Sequence, residues 1–254
     1  MRRLGHLATR GIAWAMGKAI ILLAHVVTAP RAVWQGVAPV EERARIYFAN
    51  HTSNADFVLV WSVLPNAIRA RTRPVAAADY WGRTPLRRFL IRHVFRGVLV
   101  ERCGMRDPQI ACNAMADAVR EGSSLIVFPE GTRNDGTRPL GPLKPGLYHL
   151  GRALPGVELV PVWIDNLNRV LPKGSVVPVP LLCSVHFGAP IRPRAGEGKE
   201  AFLVRAAEAL VALRPAGDGA GGCDSDLPPT AEADNDTNTD SRAMTALNDR
   251  RIAA

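Results

Sequence analysis

The sequence is poor in the features that announce metal or redox chemistry. Its four cysteines, Cys103, Cys112, Cys183 and Cys223, are scattered, with no C-x-x-C pair and no cysteine–histidine grouping at metal-ligand spacing. Nothing therefore supports a disulfide framework or a zinc site, and we expect no metal and reduced thiols in a cytosol-facing chain. There is no G-x-S-x-G elbow of the kind that presents a serine nucleophile above an α/β sheet. Internal repeats are absent. So are nucleic-acid recognition motifs and basic residues interleaved with aromatics, and we expect no nucleic-acid partner. A clean membrane-spanning run is missing too. The best candidate, residues 11–29, is mostly apolar but holds Lys18 and His25. A spanning helix needs about 20 apolar residues, and a lysine near its centre costs on the order of 2.5–3.5 kcal/mol.

What is present is positive charge and enough apolar material for a sizeable core. The 254 residues carry a formal net charge of +9 and are 47% hydrophobic. An anionic membrane surface and phosphorylated substrates both suit that balance. We read residues 11–29 as a helix lying in the membrane interface or dipping into one leaflet. Lys18 would snorkel, and Arg2, Arg3 and Arg10 would meet headgroups. A cleaved signal peptide is the rival, weakened by Arg31 close behind it. An ordinary buried helix is the plainer alternative.

Short apolar strands alternate with helical patterns from residue 44 to residue 213, which predicts an α/β domain. Strands are expected at 44–50, 75–78, 98–100, 125–128, 159–164 and 185–187. Helices are expected from Asp56 to Leu64, from Thr84-Pro85 to Phe95, from Asp107-Pro108 to Gly122, at 146–153 and at 201–213. On the second of these, Leu86, Phe89, Leu90 and Val94 share one face. Residues 217–240 are dense in Gly, Asp, Asn, Thr and Pro and cannot bury enough surface to offset ordering. The expected organisation is a membrane-associating helix and linker over 1–43, a catalytic domain over 44–214 and a disordered tail over 215–254.

The chemistry concentrates in two blocks. Residues 49–56 read Ala-Asn-His-Thr-Ser-Asn-Ala-Asp, between a strand and a helix. A strand ending at His51, a polar turn and a helix starting at Asp56 can bring imidazole and carboxylate together. The carboxylate would fix the tautomer and leave the other ring nitrogen as a base. The plain alternative is a surface turn with an aspartate helix cap. Some eighty residues on, 128–133 read Phe-Pro-Glu-Gly-Thr-Arg. An arginine there offers planar, bidentate donors suited to phosphate. Ser53 raises a Ser-His-Asp hydrolase, but it lies two residues from its supposed base on a tight turn.

H-x-x-x-x-D followed by F-P-E-G-T-R resembles the 1-acylglycerol-3-phosphate acyltransferase family of PlsC-like lysophospholipid acyltransferases. Residues 97–102 (Gly-Val-Leu-Val-Glu-Arg) and Val160-Pro161-Val162 match two further blocks, so the resemblance covers roughly 44–191. It implies a single α/β domain with a mixed central sheet flanked by helices, as in glycerol-3-phosphate acyltransferases. It implies His51 and Asp56 as the catalytic pair. Arg102, Gly131, Thr132 and Arg133 would bind the acceptor's phosphate, and Glu130 would hold an arginine or an acceptor hydroxyl. Lys144 is a lesser candidate. The implied reaction moves an acyl group from acyl-CoA or acyl-acyl carrier protein, as co-substrate and without a cofactor, to a lysophospholipid hydroxyl. The acceptor implied is 1-acylglycerol 3-phosphate. The same chemistry on a lyso-ornithine lipid or lysophosphatidylglycerol is the alternative, and a basic membrane-binding module without catalysis is the non-enzyme one. The expected place is the cytoplasmic face of the inner (plasma) membrane.

Overall fold

The computed structural model of the chain describes residues 2–101, 108–134, 138–167 and 182–215. Helix α1 (Arg2–Thr28) leads into strands β1 (Arg31–Trp34) and β2 (Arg45–Ala49), then helices α2 (Asp56–Val63) and α3 (Asn66–Arg71). Strand β3 (Thr72–Ala77) and helices α4 (Ala78–Trp81) and α5 (Pro85–Phe89) follow. A π-helical turn (Leu90–Val94) extends α5, and strand β4 (Val98–Val100) comes next. The rest alternates: α6 (Pro108–Arg120), β5 (Ser124–Val127), α7 (Gly146–Ala153), β6 (Glu158–Asp165), β7 (Ser184–Phe187) and α8 (Lys199–Val211).

The strands form one mixed sheet in the order β1-β7-β6-β2-β5-β3-β4. β6, β2, β5, β3 and β4 run parallel, and β7 lies antiparallel to β6. Every residue of β2 is buried, as a strand covered on both faces must be. Alternate residues point to opposite faces. Ile46 and Phe48 enter a core built with α6, α7 and α8. Tyr47 and Ala49 enter the other core, built with α2, Ile68 of α3, and Ile91 of the π turn. The expected mixed sheet flanked by helices is therefore what the chain adopts.

Two local expectations change. The stretch read as linker, 30–43, contains β1, which pairs in parallel with β7. Trp34 stacks on Phe187 with ring centroids 3.9 Å apart. The rest of that stretch is pinned by arginines. Arg45 donates to Ala38 O at 2.7 Å and to Glu158 Oε2 at 2.8 Å, and Arg71 donates to the carbonyls of Glu41 and Glu42. The apolar face expected on the 84–95 helix also breaks. Leu90 and Val94 pack on the second core while Leu86 stays exposed. The π turn adds a residue to the repeat, seen in Phe95 N–H donating to Leu90 O, and so rotates the face. Residues 216–254 of the expected tail lie outside the described residues.

Helix α1 is longer than its apolar run, and its stretch Leu7–Thr28 is long and apolar enough to cross a membrane. It does not stand free of the domain. Ala13 and Gly17 are buried, and Ile20, Ile21 and Val27 pack against the second core. Elsewhere on the helix Ile12, Trp14, Leu22, Leu23 and Val26 are exposed.

Gly97, the first residue of the third motif block, has a packing reason. A Cβ there would fall 2.4 Å from Ile91 Cδ1 and 3.1 Å from the Pro74 carbonyl. Gly97→Ala should cost about 1–3 kcal/mol through overpacking. The melting temperature followed by circular dichroism should drop by about 2–4 °C for each kcal/mol. An unchanged melting temperature would show that the β3–π-turn contact is looser than described.

Candidate active site

Parallel neighbours β2, β5, β3 and β4 bring their C-terminal ends to one edge of the sheet, where α/β folds build their sites. At the end of β2 the Asn50 side chain closes on the backbone of β6. Its Oδ1 accepts from Ile164 N–H at 2.7 Å, and its Nδ2 donates to Ile164 O at 3.0 Å. His51 follows at once. The chain turns, and Asp56 opens α2. Asp56 Oδ2 accepts from the backbone N–H of Thr52 at 2.7 Å, from that of Ser53 at 2.8 Å, and from His51 Nδ1 at 2.8 Å. A carboxylate only accepts, so the proton of the imidazole sits on Nδ1 and Nε2 is left bare. Asp56 is fully buried, and its other oxygen, Oδ1, has no partner among the described residues. Burial pushes its carboxyl above the usual carboxylate range, while the His51 bond and the amides of Ser53 and Thr52 pull it back. A buried carboxylate in this position stabilises the imidazolium whenever His51 takes a proton. Ser53 is also buried, and its Oγ accepts from Ala55 N–H, which gives no support to a serine nucleophile.

The second motif grips the first through the backbone. Glu130 is 4% exposed, and its two oxygens are both used. Oε1 accepts from His51 N–H at 2.7 Å and Oε2 from Gly141 N–H at 2.9 Å. A Cβ on residue 141 would sit 2.5 Å from Oε2, so only glycine allows this approach. Asn134 N–H donates to His51 O at 2.7 Å, so both polar backbone groups of His51 are held by the segment that follows β5. Phe128 stacks on the imidazole with ring centroids 4.3 Å apart. Burial raises the Glu130 carboxyl, opposed by its two amide donors. This placement differs from the expectation that Glu130 meets an arginine or a substrate hydroxyl. Its carboxylate is enclosed by backbone N–H groups, as burial requires.

His51 lines a cavity of about 580 Å³ together with Gly131, Thr132 and Arg133. Its apolar wall comes from Val75, Val100, Met115, Leu147 and Leu150. Arg83 and Lys144 join Arg133 as cations in the lining, against one acid there, Asp79. All three cations are exposed, and none of them forms an ion pair with a carboxylate among the described residues. The cavity thus has a base, a positive rim and an apolar interior. Arg102 lies outside the described residues. Asn50 and Phe128 stand inside the two sequence blocks, but their contacts were not legible there, and Arg83 was not singled out at all.

Comparison with known proteins follows the same line. A family model described as Acyltransferase matches residues 31–165. The chain is 25% identical over 193 residues to a 1-acyl-sn-glycerol-3-phosphate acyltransferase of Cocos nucifera, covering 74% of this chain and 54% of that protein. It is 32% identical over 155 residues to a 1-acyl-sn-glycerol-3-phosphate acyltransferase of Limnanthes alba, covering 58% and 50%. The chain spans about half the length of these curated relatives. Its fold is like that of the crystal structure of the 1-acyl-sn-glycerophosphate (LPA) acyltransferase of Thermotoga maritima. The TM-score is 0.61 at 21% identity, over 79% of each chain.

If Glu130 acts only by holding His51 and the 141 turn, Glu130→Gln leaves one buried N–H unpaired. The expected cost is about 1–3 kcal/mol of stability. Turnover should fall with the KM of any acceptor nearly unchanged, and steady-state kinetics beside thermal melts reads both. A raised acceptor KM with an unchanged melting temperature would instead place Glu130 against substrate.

Proposed function

The chain belongs to the acyltransferase family, and from that premise we propose that it moves a fatty acyl group from an acyl thioester to the free hydroxyl of a lysophospholipid. The acceptor is 1-acylglycerol 3-phosphate and the product phosphatidate. The observation that carries the proposal is the His51–Asp56 pair, with Nε2 bare at a cavity that is apolar inside and cationic at its rim. The names of the relatives from Cocos nucifera and Limnanthes alba support the acceptor.

The step needs little activation of the donor, because a thiolate leaves readily. The acceptor is the harder partner, since its hydroxyl holds its proton tightly. As the hydroxyl oxygen attacks the thioester carbonyl, its proton passes to His51 Nε2. Asp56 stabilises the imidazolium that forms. A positioned base of this kind contributes typically about 10²–10⁴-fold. The tetrahedral intermediate then collapses, the C–S bond breaks, and the departing sulfur takes the proton back from His51. Every atom is accounted for without a protein nucleophile. Arg133, with Gly131 and Thr132 beside it, holds the acceptor's phosphate and so aligns the hydroxyl with His51. Arg102 is assigned the same role on its motif. The acyl chains lie against the Met115, Leu147 and Leu150 wall.

The exposed apolar side of α1 supports membrane association, and in this reading the protein works at the cytoplasmic face. The test is the purified full chain with acyl-CoA or acyl-acyl carrier protein and a panel of lyso-lipids, read by thiol release and mass spectrometry. Phosphatidate should form fastest. Turnover only with lyso-ornithine lipid or lysophosphatidylglycerol would move the acceptor, and none with any would leave a membrane-binding module.

Arg133→Ala should raise the acceptor's KM by roughly 10- to 150-fold, the loss of one charge-assisted contact. The donor's KM should hardly move. Arg133→Lys should rescue only in part, because a point charge lacks the bidentate fork. Two-substrate kinetics decides. A donor KM that rises while the acceptor's stays flat would assign Arg133 to the coenzyme.

A further inference from the structure

A second concave site lies between α1 and the segment from Trp61 to Arg96. Its volume is about 440 Å³, and it shares no lining residue with the catalytic cavity. One wall is a single stripe of α1, whose members recur every three or four residues from Arg10 through Trp14 and Lys18 to Ile21. The other wall is Trp61 at the end of α2, Arg69 in α3, and His93 and Arg96 around the π turn.

The charge of this groove is of one sign. Arg10, Lys18, Arg69 and Arg96 line it, and no acidic residue does. No Asp or Glu precedes Glu41, and between Asp56 and Glu101 the chain holds eight arginines and a single acid, Asp79. None of the four cations forms an ion pair with a carboxylate among the described residues. Their partners are neutral. Arg69 donates to Ser62 O at 2.8 Å and to Asn66 Oδ1 and lies over the Trp61 ring, and Arg96 donates to Ala70 O. Lys18 lies over the Trp14 ring. Arg69 is half-buried, and burial works against its charge. A partly desolvated cation without a counter-charge is costly, so an anion is the missing complement. The surroundings say which kind. Trp14 is 69% exposed at the edge of the groove, and Ile12, Leu22, Leu23 and Val26 continue an uncovered apolar surface along α1. An amphipathic ring beside cations and an apolar strip is the arrangement of a membrane interface.

We propose that this groove is a lipid site separate from the catalytic one, which takes the phosphate headgroup of an anionic phospholipid between Lys18, Arg69 and Arg96 while the lipid's acyl chains lie along the exposed side of α1. The site holds independently of the acyl-transfer reaction. Occupied, it seats α1 flat on the membrane and adds a headgroup-specific hold to the apolar one.

The test is sedimentation of the full chain with vesicles of phosphatidylcholine alone and of phosphatidylcholine mixed with phosphatidylglycerol. The wild type should prefer the mixed vesicles. Lys18→Gln with Arg96→Gln should weaken that binding by roughly fivefold per charge, while leaving the weak hold on neutral vesicles unchanged. Both side chains are exposed, so the variant should keep its melting temperature, and Lys18→Gln alone should show the single-charge loss. The matched control is Arg152→Gln with Arg194→Gln, two exposed arginines away from the groove, which should lose less than half its binding. Equal losses in both pairs would mean diffuse attraction and overturn the site, as would no loss in the groove pair. Displacement from mixed vesicles by millimolar inorganic phosphate would make free phosphate the ligand. Equally tight binding of random duplex DNA, lost in the same variant, would make it a polyanion site. Either result overturns the lipid assignment.

Discussion

A carboxylate with no access to water has to be surrounded by donors, and Asp56 sets that demand at the centre of this chain. One oxygen collects three N–H groups within 2.8 Å, two from the backbone of Thr52 and Ser53 and one from the imidazole of His51. The turn after β2 can close only in the shape that points those amides inward. The same contact decides the tautomer of His51, and with it which nitrogen faces the cavity. Structure and chemistry therefore depend on a single buried charge.

A second buried carboxylate repeats the device over a longer distance. Glu130 ties the amide of His51 to that of Gly141, and Asn134 closes on the carbonyl of His51. The histidine is thus held by its ring, its N–H and its C=O, from two elements far apart in sequence. Phe128 covers one ring face. Such support matters because small displacements of a catalytic group are expensive in rate. It also frees the arginine of the same six-residue block to face the cavity. The block divides its work, with Phe128 and Glu130 turned toward the histidine and Gly131, Thr132 and Arg133 lining the cavity.

What the sequence revealed was local. His51 and Asp56 are joined by one turn, so their spacing is enough to bring them together. Strands β2, β5 and β6 are dense apolar runs bounded by turn residues, and they stood out for that reason. Strand β1 did not, because four residues beside a proline carry no period, and their partner β7 is some 150 residues away. The strand order was equally hidden, since β6 lies next to β2 through contacts that no local pattern encodes. Glu130 was expected to meet an arginine or an acceptor hydroxyl, because a carboxylate repels phosphate, and in the structure it meets backbone N–H groups. Its partners are backbone amides, which have no letter in a sequence. The π turn escaped for a related reason, because Leu90 and Val94 fit an α-helical repeat as well as the wider one. The acyltransferase resemblance rested on four blocks in order, and the mixed sheet with helices on both faces agrees with it.

The central claim is that His51 removes the acceptor's proton and that Asp56 acts through it. A double-mutant cycle on turnover, with folding followed by circular dichroism, tests both parts at once. His51→Ala should lower kcat by about 10²-fold or more with the fold retained. Asp56→Asn should also lower kcat in the wild-type chain, and should lower it no further once His51 is gone. Near-normal turnover in His51→Ala would contradict the claim. So would a second full loss from Asp56→Asn in that background, which would give the carboxylate a role of its own.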